Sequence, residues 1–129
     1  MSRLSAQYHS RQGVSSVDNR LMRDMTLRQF RSGQQSRDEL CDASAELLRV
    51  ATHLGVASNS ACPICDQMDM VEVRFAFGEG LPPHGRAIEG EGDIVRLRDL
   101  KRAVEIYEVE VCTHCRWNYL LRKSALLSS

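Results

Sequence analysis

Two short stretches hold the residue types that do chemistry, "CPIC" at 62–65 and "CTHC" at 112–115. The 46 residues between them include no cysteine. A CxxC pair can be a dithiol redox motif, part of a disulfide framework, or half of a metal site. In redox proteins the first cysteine opens a helix, whose amide ends favour the thiolate. Here "DQMDMVEVRFAF" follows Cys65. Val71, Val73, Phe75 and Phe77 alternate with Glu72, Arg74 and Ala76, which predicts a strand. A redox reading also leaves the second pair unexplained. The N-terminal "MSRLSAQYHSRQG" has no apolar signal core, and no run of about 18 apolar residues occurs. The expected location is therefore the cytoplasm, where thiols stay reduced. That and the odd count of five cysteines disfavour a disulfide framework.

Zinc takes four ligands in a tetrahedron, and a CxxC turn supplies two of them with backbone amides aimed at the thiolates. "AVEIYEVEV" predicts a second strand, with Tyr107, Val109 and Val111 on one face, running directly into Cys112. If the two strands pair antiparallel, the start of the first lies beside the end of the second. Cys62, Cys65, Cys112 and Cys115 then converge as ligands of one structural Zn2+, the arrangement of a zinc ribbon. The spacer exceeds the usual roughly 15–20 residues. "GEGLPPHGRAIEGEG" and a short helix over "DIVRLRDLKR" would fill it as an insertion, which loop-closure entropy tolerates. Four thiolates suit iron as well as zinc.

Cys41 is expected to be a buried free thiol on a short helix, and His114 to point outward from its knuckle. His9, His53 and His84 stand alone. No phosphate-binding glycine pattern, HExxH or nucleophile elbow occurs, and a closed four-cysteine site leaves no open position. No catalytic residue, small-molecule substrate or enzyme activity is expected.

The elements that must position these cysteines read as an α+β chain. Residues 1–17 are polar and aperiodic, a flexible basic arm. Residues 18–56 form a helical unit. Asp18 can cap a helix over about 19–32 whose apolar positions are Leu21, Met22, Met25 and Phe30. "SRDE" at 36–39 fits a capping box, and "AELLRVATHLG" a helix closed by Gly55. Residues 57–129 form a zinc-ribbon-like domain. Trp117, Leu120, Leu121 and Leu127 are at helical spacing, which predicts a C-terminal helix.

The net charge is zero but unevenly spread. Residues 1–37 carry seven arginines against Asp18 and Asp24, a net of +5, which leaves −5 on residues 38–129. A basic arm on an acidic body suggests that the arm meets an anionic surface. Arg3, Arg11, Arg20, Arg23, Arg28 and Arg31, together with Trp117, are the candidate partner contacts.

"LRQFRSGQQSRDELCDASAELLRVATHLG", "CPIC", "VEVRFAFGE" and "YEVEVCTHCRWNYLL" together resemble a family of small actinobacterial proteins, over roughly residues 20–122. "EVCTHCRWN" is the most specific segment. The resemblance implies a four-cysteine zinc site at the residues already named and assigns no activity. In architecture, a zinc ribbon with an N-terminal arm is similar to small actinobacterial factors that dock on RNA polymerase. The expected function is a non-enzymatic accessory protein of the transcription machinery, docking on RNA polymerase without contacting a membrane. A ribosome- or RNA-associated factor is the alternative, although a dedicated RNA binder would be net basic. A thiol-based redox or metal sensor is a second alternative.

Overall fold

The fold comes from a computed structural model that describes residues 9–11 and 14–126, with side chains from Ser16 onward. It is an α+β chain built on one antiparallel sheet. The chain runs β1 (His9–Arg11), β2 (Val14–Asp18), α1 (Arg20–Arg31), α2 (Arg37–Leu40), α3 (Ala45–Leu54), β3 (Val56–Ala57), β4 (Met70–Gly78), β5 (Arg86–Ala87), α4 (Glu91–Asp99), β6 (Val104–Cys112) and β7 (Asn118–Leu126). The strand order is β1-β2-β7-β6-β4-β3, with β5 also on the β4 edge. The expected hairpin is present. β4 and β6 pair over nine residues each, from Met70 opposite Cys112 to Gly78 opposite Val104.

Two expectations are corrected at the ends of the chain. The segment after Cys115 is not a helix but strand β7, paired antiparallel with β6. Helical spacing of leucines misleads here because the burial alternates. Tyr119 and Leu121 are buried, with Leu120 and Arg122 less so. β6 would otherwise leave a row of unpaired amides and carbonyls along its second edge, and β7 satisfies them. Leu127 lies outside the described residues. The second correction concerns the arm. Residues 14–17 belong to β2, which pairs with β7, and Val17 is only 1% exposed. The backbone of residues 9–11 adds β1. Of the expected arm, 1–8 and 12–13 lie outside the described residues.

Alternation along β4 sends Val71, Val73 and Phe75 to one face and Met70 and Ala76 to the other. α3 covers the first face, packing Ala51, Leu47, Leu48 and Val50 against Val73, Val109 and Val111. Ser44 caps α3 by accepting the Leu47 N–H at 3.1 Å. Gly55 ends it in an extended conformation, not a left-handed one. Glycine is needed there for space. A Cβ would stand 2.4 Å from the Ala51 carbonyl oxygen and 2.6 Å from the Val71 side chain. α4 covers the far end of the second face through Ile94 and Leu97, against Ala76, Val104 and Ile106.

The Asp93 carboxylate holds the start of α4, accepting the Glu89 N–H at 2.8 Å and an Arg96 N–H at 2.6 Å. The Glu89 amide, then Arg96, lowers the Asp93 pKa below its ordinary value. A lowered folded-state pKa contributes stability that is present above the ordinary carboxylate range and lost as pH falls through the folded value. Asp93→Asn should therefore lower the melting temperature at neutral pH, and the gap from the parent should shrink below about pH 4. Melts at both pH values check this, and an unchanged gap contradicts it.

α1 and α2 lie over the near end of the second face, where Leu27, Leu40, Met70, Trp117 and Tyr119 form one core cluster with Cys62 and Cys112. α1 is rotated relative to the expected packing. Thr26 and Leu27 are buried, whereas Leu21 is 68% and Met25 49% exposed. The Ser36–Glu39 capping box at α2 is present in both directions.

Candidate metal centre

The sheet register delivers the cysteines. Met70 opposite Cys112 places the loop carrying Cys62 and Cys65 beside the turn carrying Cys112 and Cys115. Both turns fold alike. The Cys62 amide donates to the Gln67 carbonyl at 2.8 Å, and the Asp66 amide to the Cys62 carbonyl at 2.9 Å. In the second turn Cys112 donates to Trp117 at 2.8 Å and Arg116 to Cys112 at 3.0 Å. The residue after each second cysteine is left-handed, Asp66 at φ 66° and Arg116 at φ 76°. That twist costs a non-glycine residue energy. Its repetition at matching positions marks two equivalent knuckles.

The four sulfur atoms lie within 4.8 Å of one another. Cys62 and Cys115 Sγ are 3.6 Å apart, and Cys65 and Cys112 Sγ 3.7 Å. A tetrahedron with metal–sulfur bonds of about 2.3 Å has edges of about 3.8 Å. The cluster can therefore hold one metal ion, with each knuckle facing the other across it.

Amides face the sulfurs. Ile64 N–H lies 3.4 Å from Cys62 Sγ. Gln67 and Trp117 backbone amides play the corresponding part for Cys65 and Cys115. Burial nevertheless pushes the Cys62 thiol up to about 11 and raises Cys115 as well. Cys65 differs. Burial opposes its thiolate, but the Gln67 amide and the neighbouring sulfurs outweigh that and lower its pKa. Crowded thiols that hold their protons are stabilised as thiolates when a cation takes the protons' place.

The surroundings are built to keep the site in place. Cys62 and Cys112 are buried, while Cys65 and Cys115 are partly exposed. The Ala43 amide donates to the Arg116 carbonyl at 3.1 Å, and Asn118 Nδ2 to Asp42 at 2.9 Å, which ties the α2–α3 connection to the second knuckle. Glu110, only 6% exposed, accepts from Trp117 Nε1 at 2.7 Å and from Arg23 Nε at 2.6 Å. Strand alternation sets Glu110 opposite the apolar Val109 and Val111 face, and nothing in the sequence marks this role. Its signal exists only in the register that sets it beside the indole.

Two candidate partner contacts are corrected here. Trp117 is 0% exposed, and its ring lies over that of Tyr119 at 5.7 Å between centroids. It is core, not surface. Arg23 turns inward to Glu110, which is why α1 presents Leu21 and Met25 to solvent. Arg20, Arg28 and Arg31 are exposed. Arg3 lies outside the described residues, and of Arg11 only the backbone, in β1, is described. His114 is exposed, as expected. Cys41 is half-buried, not the fully buried thiol expected, and it stands beside the site. It is the C-cap of α2, and its thiol donates to Cys115 Sγ at 3.6 Å.

Residues 9–128 match a family described as "Family of unknown function (DUF5318)". Uncharacterised proteins of Mycobacterium tuberculosis and Mycobacterium bovis are each 32% identical over 110 residues, which covers 85% of this chain and 80% of theirs. No solved structure is significantly similar to the chain. Among the described residues, no helix is long and apolar enough to cross a membrane.

Proposed function

The chain belongs to the DUF5318 family, and from that premise we propose that it is a non-enzymatic, zinc-stabilised docking protein of the cytoplasm whose partner is RNA polymerase. Zinc is the metal that four thiolates at tetrahedral spacing and a closed site suit best. With all four positions filled by protein, the ion organises structure and leaves no place for a substrate or a reactive water.

The observation that carries the docking reading is the outer face of α1. Leu21, Met25 and Arg28 recur on one stripe and are exposed, with Arg20 and Arg31 flanking them. No carboxylate lies within ion-pair distance of Arg28 or Arg31 among the described residues. A helix of 12 residues that shows apolar and cationic groups to water fits an acidic, amphipathic protein surface. The acidic remainder of the chain argues against wrapping nucleic acid with the whole surface.

Tagged protein purified from its host at low salt should bring polymerase subunits with it. Ribosomal proteins in their place would favour the ribosome-associated alternative, and neither class would refute docking on either machine. Met25→Asp combined with Arg28→Glu should reduce the co-purified partner about tenfold or more, as loss of a central anchor does. The melting temperature should stay within a few degrees of the parent's, because both side chains are exposed. Equal recovery of partner by this variant would remove α1 from the interface.

A further inference from the structure

We infer that Cys41 and Cys115 are a thiol pair that a hydroperoxide oxidises to a disulfide, withdrawing one thiolate from the four-cysteine site. The inference rests on the structural-zinc reading above and assigns that site a means of release. Cys41 comes from the helical unit and Cys115 from the second knuckle, 74 residues apart, yet their sulfurs are 3.6 Å apart. Cys115 also lies 3.6 Å from Cys62. It therefore stands between a fellow ligand and a thiol that is not needed to complete the tetrahedron.

Exposure separates the five sulfurs further. Cys62 and Cys112 are buried, while Cys41, Cys65 and Cys115 are partly open. Cys115 is thus the ligand that combines access from solvent with contact to a fifth thiol. A reactive thiol poised beside a resolving one is the arrangement that peroxide-sensing cysteines use.

The chemistry balances with a hydroperoxide as oxidant. One sulfur of the pair attacks the terminal peroxide oxygen, the O–O bond breaks, and an alcohol (water, from hydrogen peroxide) leaves. The resulting sulfenic acid is attacked by the second thiol. The S–S bond forms, the S–O bond breaks, and water leaves. The two sulfurs give up two electrons to the peroxide; the Cys41 thiol supplies one proton, and solvent supplies the second, because the metal-bound Cys115 is already a thiolate. Three thiolates then remain where four were, and α2 becomes tied covalently to the second knuckle.

The competing role for Cys41 is a hydrogen-bond donor that orients the Cys115 thiolate. Cys41→Ser separates the two, because serine keeps a donor and cannot form a disulfide. Full-length protein and Cys41→Ser, both loaded with zinc, are treated with hydrogen peroxide. Free zinc is followed with a chelating dye, and disulfides are mapped by peptide mass spectrometry with fragmentation. The expected result is a Cys41–Cys115 disulfide in the parent, release about tenfold slower in Cys41→Ser, and reversal by a dithiol reductant. Disulfides confined to 62–65 or 112–115, or equal release from the two proteins, overturn the inference. Metal content before oxidation tests the zinc reading separately. If neither protein holds zinc, that reading fails, and the disulfide map alone decides the thiol pair.

Discussion

Cys112→Ser should abolish the cooperative melt of this protein, whereas Cys41→Ala should leave it folded. The contrast follows from where the two sulfurs stand. Cys112 ends β6, is fully buried, and belongs to the same core cluster as Leu27, Leu40, Met70 and Trp117. Removing it takes away one of four ligands and breaks the surface on which α1 and α2 rest. Structural zinc sites contribute folding free energy on the order of 10 kcal/mol. Small domains retain about 5–15 kcal/mol in total, so most of the margin would go with a bound zinc ion. Cys41→Ala removes only a half-buried sulfur, which costs about 1–2 kcal/mol. Thermal melts by circular dichroism check the pair. A Cys112→Ser protein that melts within a few degrees of the parent would sink the structural role of the site.

Trp117→Ala has the second-largest expected effect. The indole is fully buried, stacks with Tyr119, and donates to Glu110. Its removal leaves a cavity in the cluster that contains Cys62 and Cys112. It also leaves the buried Glu110 carboxylate with Arg23 as its remaining partner among the described residues. Truncating a core tryptophan costs about 3–5 kcal/mol, and the hydrogen bond lost from a buried carboxylate adds to the same side. Denaturant titration should show that loss, with α1 loosened because Arg23 anchors it through Glu110. A loss below about 1 kcal/mol would mean the ring does not hold the helix to the knuckle.

The metal site was legible because two independent signals agree. CxxC spacing proposes ligands, and period-two alternation on the inner sides of both pairs proposes the hairpin that joins them. The α2 and α3 helices were legible from a capping box and a closing glycine, since Ser36 and Gly55 act through neighbours a few residues away, whereas the cap of α1 is Asn19 and not the expected Asp18, and it makes no side-chain cap hydrogen bond. β7 was not. Its leucines fit a helix equally well, and only the open edge of β6, a long-range feature, selects the strand. β2 failed for the same reason: a short polar run such as "VSSVD" becomes a strand only because β7 offers it a partner.

The face of α1 was misread in an instructive way. Counting apolar residues puts Leu21 and Met25 inward, but a buried Glu110 draws Arg23 inward and turns the helix. Hydrophobic patterning cannot anticipate an ion pair that spans 87 residues. The same blindness hid Cys41, which is ordinary in sequence and exceptional only in standing 3.6 Å from Cys115. Trp117 was taken for a contact because it follows a knuckle, whereas the left-handed turn at Arg116 sends it into the core.

Metal analysis of the purified chain is the most direct test of a zinc ion closing this fold. Native mass spectrometry combined with elemental analysis should find one zinc per chain in the parent and none in Cys112→Ser. A parent chain that is folded and metal-free, with free, oxidisable thiols at Cys62, Cys65, Cys112 and Cys115, would contradict it.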